Sequence, residues 1–174
     1  MESPPYAEAP LIVTLRLDEH STAIFDELRR RHFPPRLNRI GAHLTLFHQL
    51  PAGSVRTVLA DLREVAPPPF DLEVARPMLL GRGVAIEVRS ARLQELHRQL
   101  AERWSEWLTP QDRQRLRPHI TVQNKVDPAE ARRLHAALAR TQYWPTVLAT
   151  GWSVWRYLGG PWLPEADVPF TRPE

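Results

Sequence analysis

The chain has 174 residues, 43% of them hydrophobic and 25% charged, the proportions of a globular protein long enough to bury a core. It contains no cysteine, which excludes disulfides, a thiolate nucleophile and any cysteine-ligated zinc site, and fits a reducing compartment. A formal charge of +3 and a pI near 9.9 suit an anionic ligand such as phosphate or RNA without demanding one.

The first residues, Met1 to Tyr6, have neither the basic flank nor the apolar stretch of a signal peptide. No apolar run approaches the ~20 residues of a membrane span, so the expected location is the cytoplasm, with no membrane partner. Leu11 to Leu17 reads as a strand, and Asp18 or Ser21 can cap the helix that follows. That helix sets Ile24, Phe25 and Leu28 on one face and stops at Pro34-Pro35. A basic loop with Arg36 and Arg39 leads into a second strand, His43 to Leu50. Pro51-Ala52-Gly53 makes a turn, and Ser54 is expected to cap a helix turning Val55, Val58, Leu59, Leu62 and Val65 inward. Pro67-Pro68-Pro69 ends it, and strands at Phe70 to Val74 and Val84 to Val88 follow, joined near Gly81 and Gly83.

Ser90 is expected to cap a long helix whose apolar face carries Leu93, Leu96, Leu100, Trp104, Trp107 and Leu108. A second basic loop (Arg113, Arg115, Arg117) leads into a strand from His119 to Val126. Asp127-Pro128-Ala129-Glu130 makes a helix start with an N-cap, a first-turn proline and a capping-box glutamate, and the helix turns Ala131, Leu134 and Leu138 inward. A last strand covers Val147 to Leu158 and ends at Gly159-Gly160. Strand, helix, basic loop, His-x-Thr strand and helix thus occur twice. Leu11 precedes His43 by 32 residues and Val84 precedes His119 by 35, so the order reads as an internal duplication with halves of about 11–80 and 84–158. Neither half is expected to bury enough area alone, so the expected fold is α+β, one domain over 1–174 with two lobes.

Alternate residues of a strand share a face. His43 and Thr45 therefore point one way and Leu44 and Leu46 the other; His119 and Thr121 oppose Ile120 and Val122 in the same manner. The apolar pair suits a core and the His/Thr pair a cleft. An imidazole titrating near neutrality moves protons, and a hydroxyl two residues on can bond a phosphate oxygen. Two such elements face to face supply a base and an acid on opposite sides of one phosphorus, with the threonines and nearby cations stabilising its oxygens and no metal required.

The stretches Ala42-His43-Leu44-Thr45-Leu46-Phe47 and Arg117-Pro118-His119-Ile120-Thr121-Val122, 76 residues apart, resemble the 2H phosphoesterase superfamily, which includes the 2′-5′ RNA ligase-like proteins. The ending Arg156-Tyr157-Leu158-Gly159-Gly160-Pro161-Trp162 is similar to a tail of bacterial members. The resemblance implies a bilobed α+β fold in which two antiparallel sheets flank a cleft, with helices outside and a pseudo-twofold relation between halves. It implies catalytic roles for His43 and His119 and phosphate binding by Thr45 and Thr121. Its chemistry centres on 2′,3′-cyclic phosphates and 2′-5′ linkages, so the expected partner of this chain is an RNA end or small nucleotide, handled by a monomer without a cofactor. The alternative is an RNA- or nucleotide-binding module of the same fold with weak or vestigial catalysis.

Further substrate contacts are expected from Lys125, on the His119 face by parity with Gln123, from Arg117 and Arg39 in the two basic loops, and from Tyr157. Tyr157, Trp152, Trp155 and Trp162 offer stacking surfaces for bases, although aromatics at strand spacing also fill cores. Phe47 shares the His43 face and suits either stacking or packing, whereas His48, on the opposite parity, reads as structural. His20, His32, His97 and His135 form no metal-ligand spacing, and no phosphate-binding glycine loop or nucleophilic-serine motif occurs.

Overall fold

Five consecutive residues of the first strand, Leu11 to Leu15, are buried, the pattern of a strand paired on both edges and covered on both faces. The computed structural model describes residues 6–172. In chain order its elements are β1 (Leu11–Leu17), α1 (Glu19–His32), β2 (Leu44–Leu50), α2 (Val55–Val65), β3 (Phe70–Leu79) and β4 (Val84–Arg89). Then follow α3 (Ala91–Arg103), β5 (His119–Gln123), α4 (Pro128–Ala139), β6 (Val147–Tyr157) and β7 (Trp162–Pro169). Among the described residues no helix is long and apolar enough to cross a membrane.

Three helix starts follow the expected capping chemistry. Asp18 accepts from the Ser21 amide (3.2 Å), Ser90 from the Leu93 amide (3.1 Å) and Asp127 from the Ala129 amide (2.8 Å). Ser54 does not cap α2: its hydroxyl donates to the Pro51 carbonyl (2.6 Å), a local bond formed within the preceding turn. The helix of Leu93 ends at Arg103, earlier than expected. Trp104 leaves the helical path, and a tight turn from Trp104 to Trp107 carries Leu108 into the core from a loop instead.

All strand pairings are antiparallel, in the order β2-β1-β6-β3-β4-β5, with β7 on β6. The first three residues of β3 pair with β6 and its later ones with β4, so β3 links the β2-β1-β6 strands to the β4-β5 strands in one connected path. β3 extends past Val74 to Leu79 despite Pro77, and β7, which no sequence pattern marked, carries Pro164 and Pro169 along its line. β5 ends at Gln123 because the chain turns at Lys125, whose φ is 58°.

One cluster of buried side chains runs from Leu11 to Phe170, with Trp104, Trp152, Phe25 and Phe47 fully enclosed. The enclosed indoles keep their N–H groups satisfied: Trp152 donates to the Leu62 carbonyl (3.1 Å) and Trp104 to Asp61 (2.8 Å). Phe47 stacks on His97 with centroids 4.6 Å apart, so it is a core residue and takes no part in base stacking. A register shift where β1 meets β2 breaks the alternation and buries Leu46 and Phe47 in succession.

β2 is held by a residue 64 positions further along the chain. Asp112, 4% exposed, accepts from the amides of His48 (2.9 Å) and Gln49 (3.0 Å) and bonds the His48 ring (2.8 Å). That makes His48 structural, as its parity indicated. Asp112→Ala leaves two strand amides without their acceptor and is expected to cost about 2–4 kcal/mol in denaturant unfolding. A loss below about 0.5 kcal/mol would mean that water replaces the carboxylate.

Candidate active site

The two motifs repeat down to individual hydrogen bonds. Leu44, Leu46, Ile120 and Val122 are buried, while His43, Thr45, His119 and Thr121 are half-buried. His43 Nδ1 lies 2.8 Å from the Gly41 carbonyl, and His119 Nδ1 lies 2.7 Å from the Arg117 carbonyl. A carbonyl oxygen only accepts, so each Nδ1 carries its proton and each neutral ring leaves the Nε2 lone pair available. The loop before His43 is fixed by Asp26, whose Oδ1 accepts from the Ala42 amide (2.6 Å).

The motifs also exchange partners across the site. His43 and Thr121 line one cavity of about 440 Å³, and Thr45 and His119 line another of about 180 Å³. Each cavity therefore takes its histidine from one motif and its threonine from the other. The imidazoles are near enough for charge on His119 to disfavour protonation of His43.

The surroundings of the two rings differ. Trp162 of β7 packs on His43 with centroids 4.8 Å apart, and Trp155 lies behind Trp162 at 6.0 Å. Burial pushes the His43 pKa below the ordinary histidine value, the Gly41 hydrogen bond opposes this, and the charges of Arg29, His119 and His48 add to the lowering. His43 is thus neutral at neutral pH. Among the described residues no aromatic ring stacks on His119.

Of the further residues expected from sequence, Lys125 and Arg39 line the His43 cavity, with Lys125 brought there by its turn and not by strand parity. Arg117 and Arg115 line the His119 cavity. Tyr157 stands 41% exposed at the end of β6 and lines neither. Trp152 is core, Trp155 donates to Thr14 Oγ1 (3.0 Å), and Trp162 alone of the four reaches a motif histidine. Arg113 bonds the Leu108 carbonyl (3.0 Å), a structural use. Arg36 is exposed and lines neither cavity.

Sequence reading did not pick out Arg29, which lines the His43 cavity from inside α1 and is 4% exposed. Its neighbours Arg30 and Arg31 pair with Glu27 on the surface, and in sequence the three are indistinguishable. Helical period was the only available signal, since Phe25 and Arg29 lie four apart on one face. Among the described residues no cluster of three His, Cys, Asp or Glu side chains is placed to hold a metal ion.

Residues 17–161 match the family model of the 2′-5′ RNA ligase superfamily. No curated protein sequence matches the chain. Among solved structures, Escherichia coli LigT complexed with phosphate is 19% identical, with a TM-score of 0.57 over 94% of this chain and 99% of that one. LigT complexed with 3′-AMP is 20% identical with a TM-score of 0.55 over the same shares. The protein TT0787 of Thermus thermophilus is 17% identical with a TM-score of 0.58, over 92% of this chain and 97% of that one. At these identities the likeness is one of fold.

The indole over His43 gives a test of its environment. Trp162→Ala admits water to the ring and is expected to raise the His43 titration midpoint toward its ordinary value, followed by imidazole NMR. An unchanged His43 midpoint would show that Trp162 does not desolvate the ring.

Proposed function

The chain belongs to the 2′-5′ RNA ligase superfamily, and on that premise we propose that it is a phosphoesterase working by paired histidine acid–base catalysis without a metal ion. The proposed substrate is a phosphodiester involving a ribose 2′ oxygen, a 2′,3′-cyclic phosphate or a 2′-5′ linkage, on an RNA end or small nucleotide. The observation that carries this reading is the repeated motif geometry: two rings pinned at Nδ1, free at Nε2, and each lining a cavity together with the other motif's threonine. That LigT forms crystals with phosphate and with 3′-AMP supports a nucleotide substrate.

In hydrolysis of a cyclic phosphate, neutral His43 takes the proton of the attacking water at Nε2 as oxygen bonds phosphorus. Protonated His119 gives its Nε2 proton to the departing ribose oxygen, which leaves one phosphomonoester and a free hydroxyl. Thr45 and Thr121 donate to the non-bridging oxygens. Burial and the nearby Arg29 charge hold His43 neutral, which favours it as the base. The same reading makes the protein a cofactor-free, monomeric, cytoplasmic enzyme of bacterial type. It also makes β2-β1-β6 and β5-β4-β3 the sheets of two duplicated lobes, an order that the pairing supports.

Assayed on 2′,3′-cyclic nucleotides with excess chelator, the wild type is expected to turn over, and His43→Ala and His119→Ala are each expected to lose roughly 10²–10⁴-fold in kcat. Equal turnover in all three proteins would overturn the dyad. RNA binding without turnover in the wild type would favour the binding module instead.

A further inference from the structure

Two arginines are buried among the described residues, Arg29 at 4% and Arg156 at 5% exposure, and they differ in one respect. Arg156 is neutralised by Glu165, 2.6 Å from its Nε. Arg29 forms no ion pair among the described residues. Its Nε donates to Asn38 Oδ1 (3.0 Å), its Nη1 to the Thr121 carbonyl (2.7 Å), and Phe33 lies 4.2 Å under the guanidinium. Asp26, three residues earlier on α1, is engaged by the Ala42 amide.

The remaining nitrogen, Nη2, makes no hydrogen bond among the described residues, yet it is not sealed in: the buried side-chain atom without a partner there is Gln123 Oε1. Nη2 thus keeps some solvent access, and Arg29 lines the His43 cavity. A buried cation with no ion-pair partner is costly even with the Asp26 charge nearby, and with Nε and Nη1 engaged the N–H groups of Nη2 are those left for an oxyanion. The cavity itself agrees. Arg29, Arg39 and Lys125 line it beside His43 and Thr121 with no carboxylate, whereas the His119 cavity contains Asp112.

We infer that Arg29 is a substrate-binding residue whose Nη2 donates to a phosphate oxygen, so that the substrate's further negative charge lies on the His43–Thr121 side, away from Asp112. This rests on the phosphoesterase reading for the identity of the substrate, but not for the anion site itself.

The test uses inorganic phosphate as the probe, with calorimetry on the full chain. Arg29→Gln is expected to bind phosphate roughly 10–100-fold more weakly and to lose a comparable factor in kcat/KM on a 2′,3′-cyclic nucleotide. Asn38→Ala removes a support of the guanidinium but not its charge, and should retain phosphate affinity within about threefold. Unchanged affinity in Arg29→Gln overturns the inference, and so does an equal loss in Asn38→Ala, which would make Arg29 a positioning residue only. A measurement on the wild type needs no variant to fold: the Arg29 Nε–H resonance should shift as phosphate saturates, and a resonance that stays put overturns the inference. Absent turnover with Arg29-dependent phosphate binding would defeat the phosphoesterase reading and leave this one standing; normal turnover with Arg29-independent binding would do the reverse.

Discussion

The two motif strands are the two edges of the sheet path, and an edge strand must satisfy its outward N–H and C=O groups somehow. A further strand would serve, but it would fill the space where the cavities lie. Side chains from distant parts of the chain do it instead. Asp112 takes the amides of His48 and Gln49 on β2, His97 lies 3.2 Å from the Leu46 carbonyl, and Arg29 donates to the Thr121 carbonyl on β5. Each motif strand is thus braced by a helix or loop belonging to the other half of the chain. The bracing takes the place of a further strand at each edge.

Like motifs in unlike surroundings acquire unlike properties. Both histidines make the same bond to a carbonyl two residues upstream, and that bond makes the same ring nitrogen available in each. Only His43 is pressed by Trp162 and faces a buried guanidinium in its cavity. The proposed division of labour between base and acid therefore comes from β7 and α1, not from the motifs. The two cavities differ in the same way: the one shared by His43 and Thr121 holds cations and no carboxylate, and the one shared by His119 and Thr45 holds Asp112 beside Arg115 and Arg117.

The legible parts of the chain are those governed by near neighbours. Period-two alternation placed Leu44, Leu46, Ile120 and Val122 inward, and short side chains at Asp18, Ser90 and Asp127 marked helix starts. Ser54 misled because a serine can bond the turn before it as readily as the helix after it. β7 was unreadable because Pro164, Glu165, Asp167 and Pro169 interrupt its alternation; it holds its place as an outer strand paired to β6 alone. Phe47 shares the histidine parity yet packs in the core, since a register shift overrides alternation.

By itself the sequence determined what each motif offers: a ring and a hydroxyl on one face of a strand, apolar residues on the other, and a basic loop beside them. The tertiary structure decided which of these groups meet. Arg29 and Thr121 are 92 residues apart, and Asp112 and His48 are 64 apart. Periodicity and capping act over a few residues, so they carry no information about such pairs. The partners of a buried charge are chosen by how helices and strands pack, and in this protein that packing distinguishes Arg29 from the surface arginines next to it.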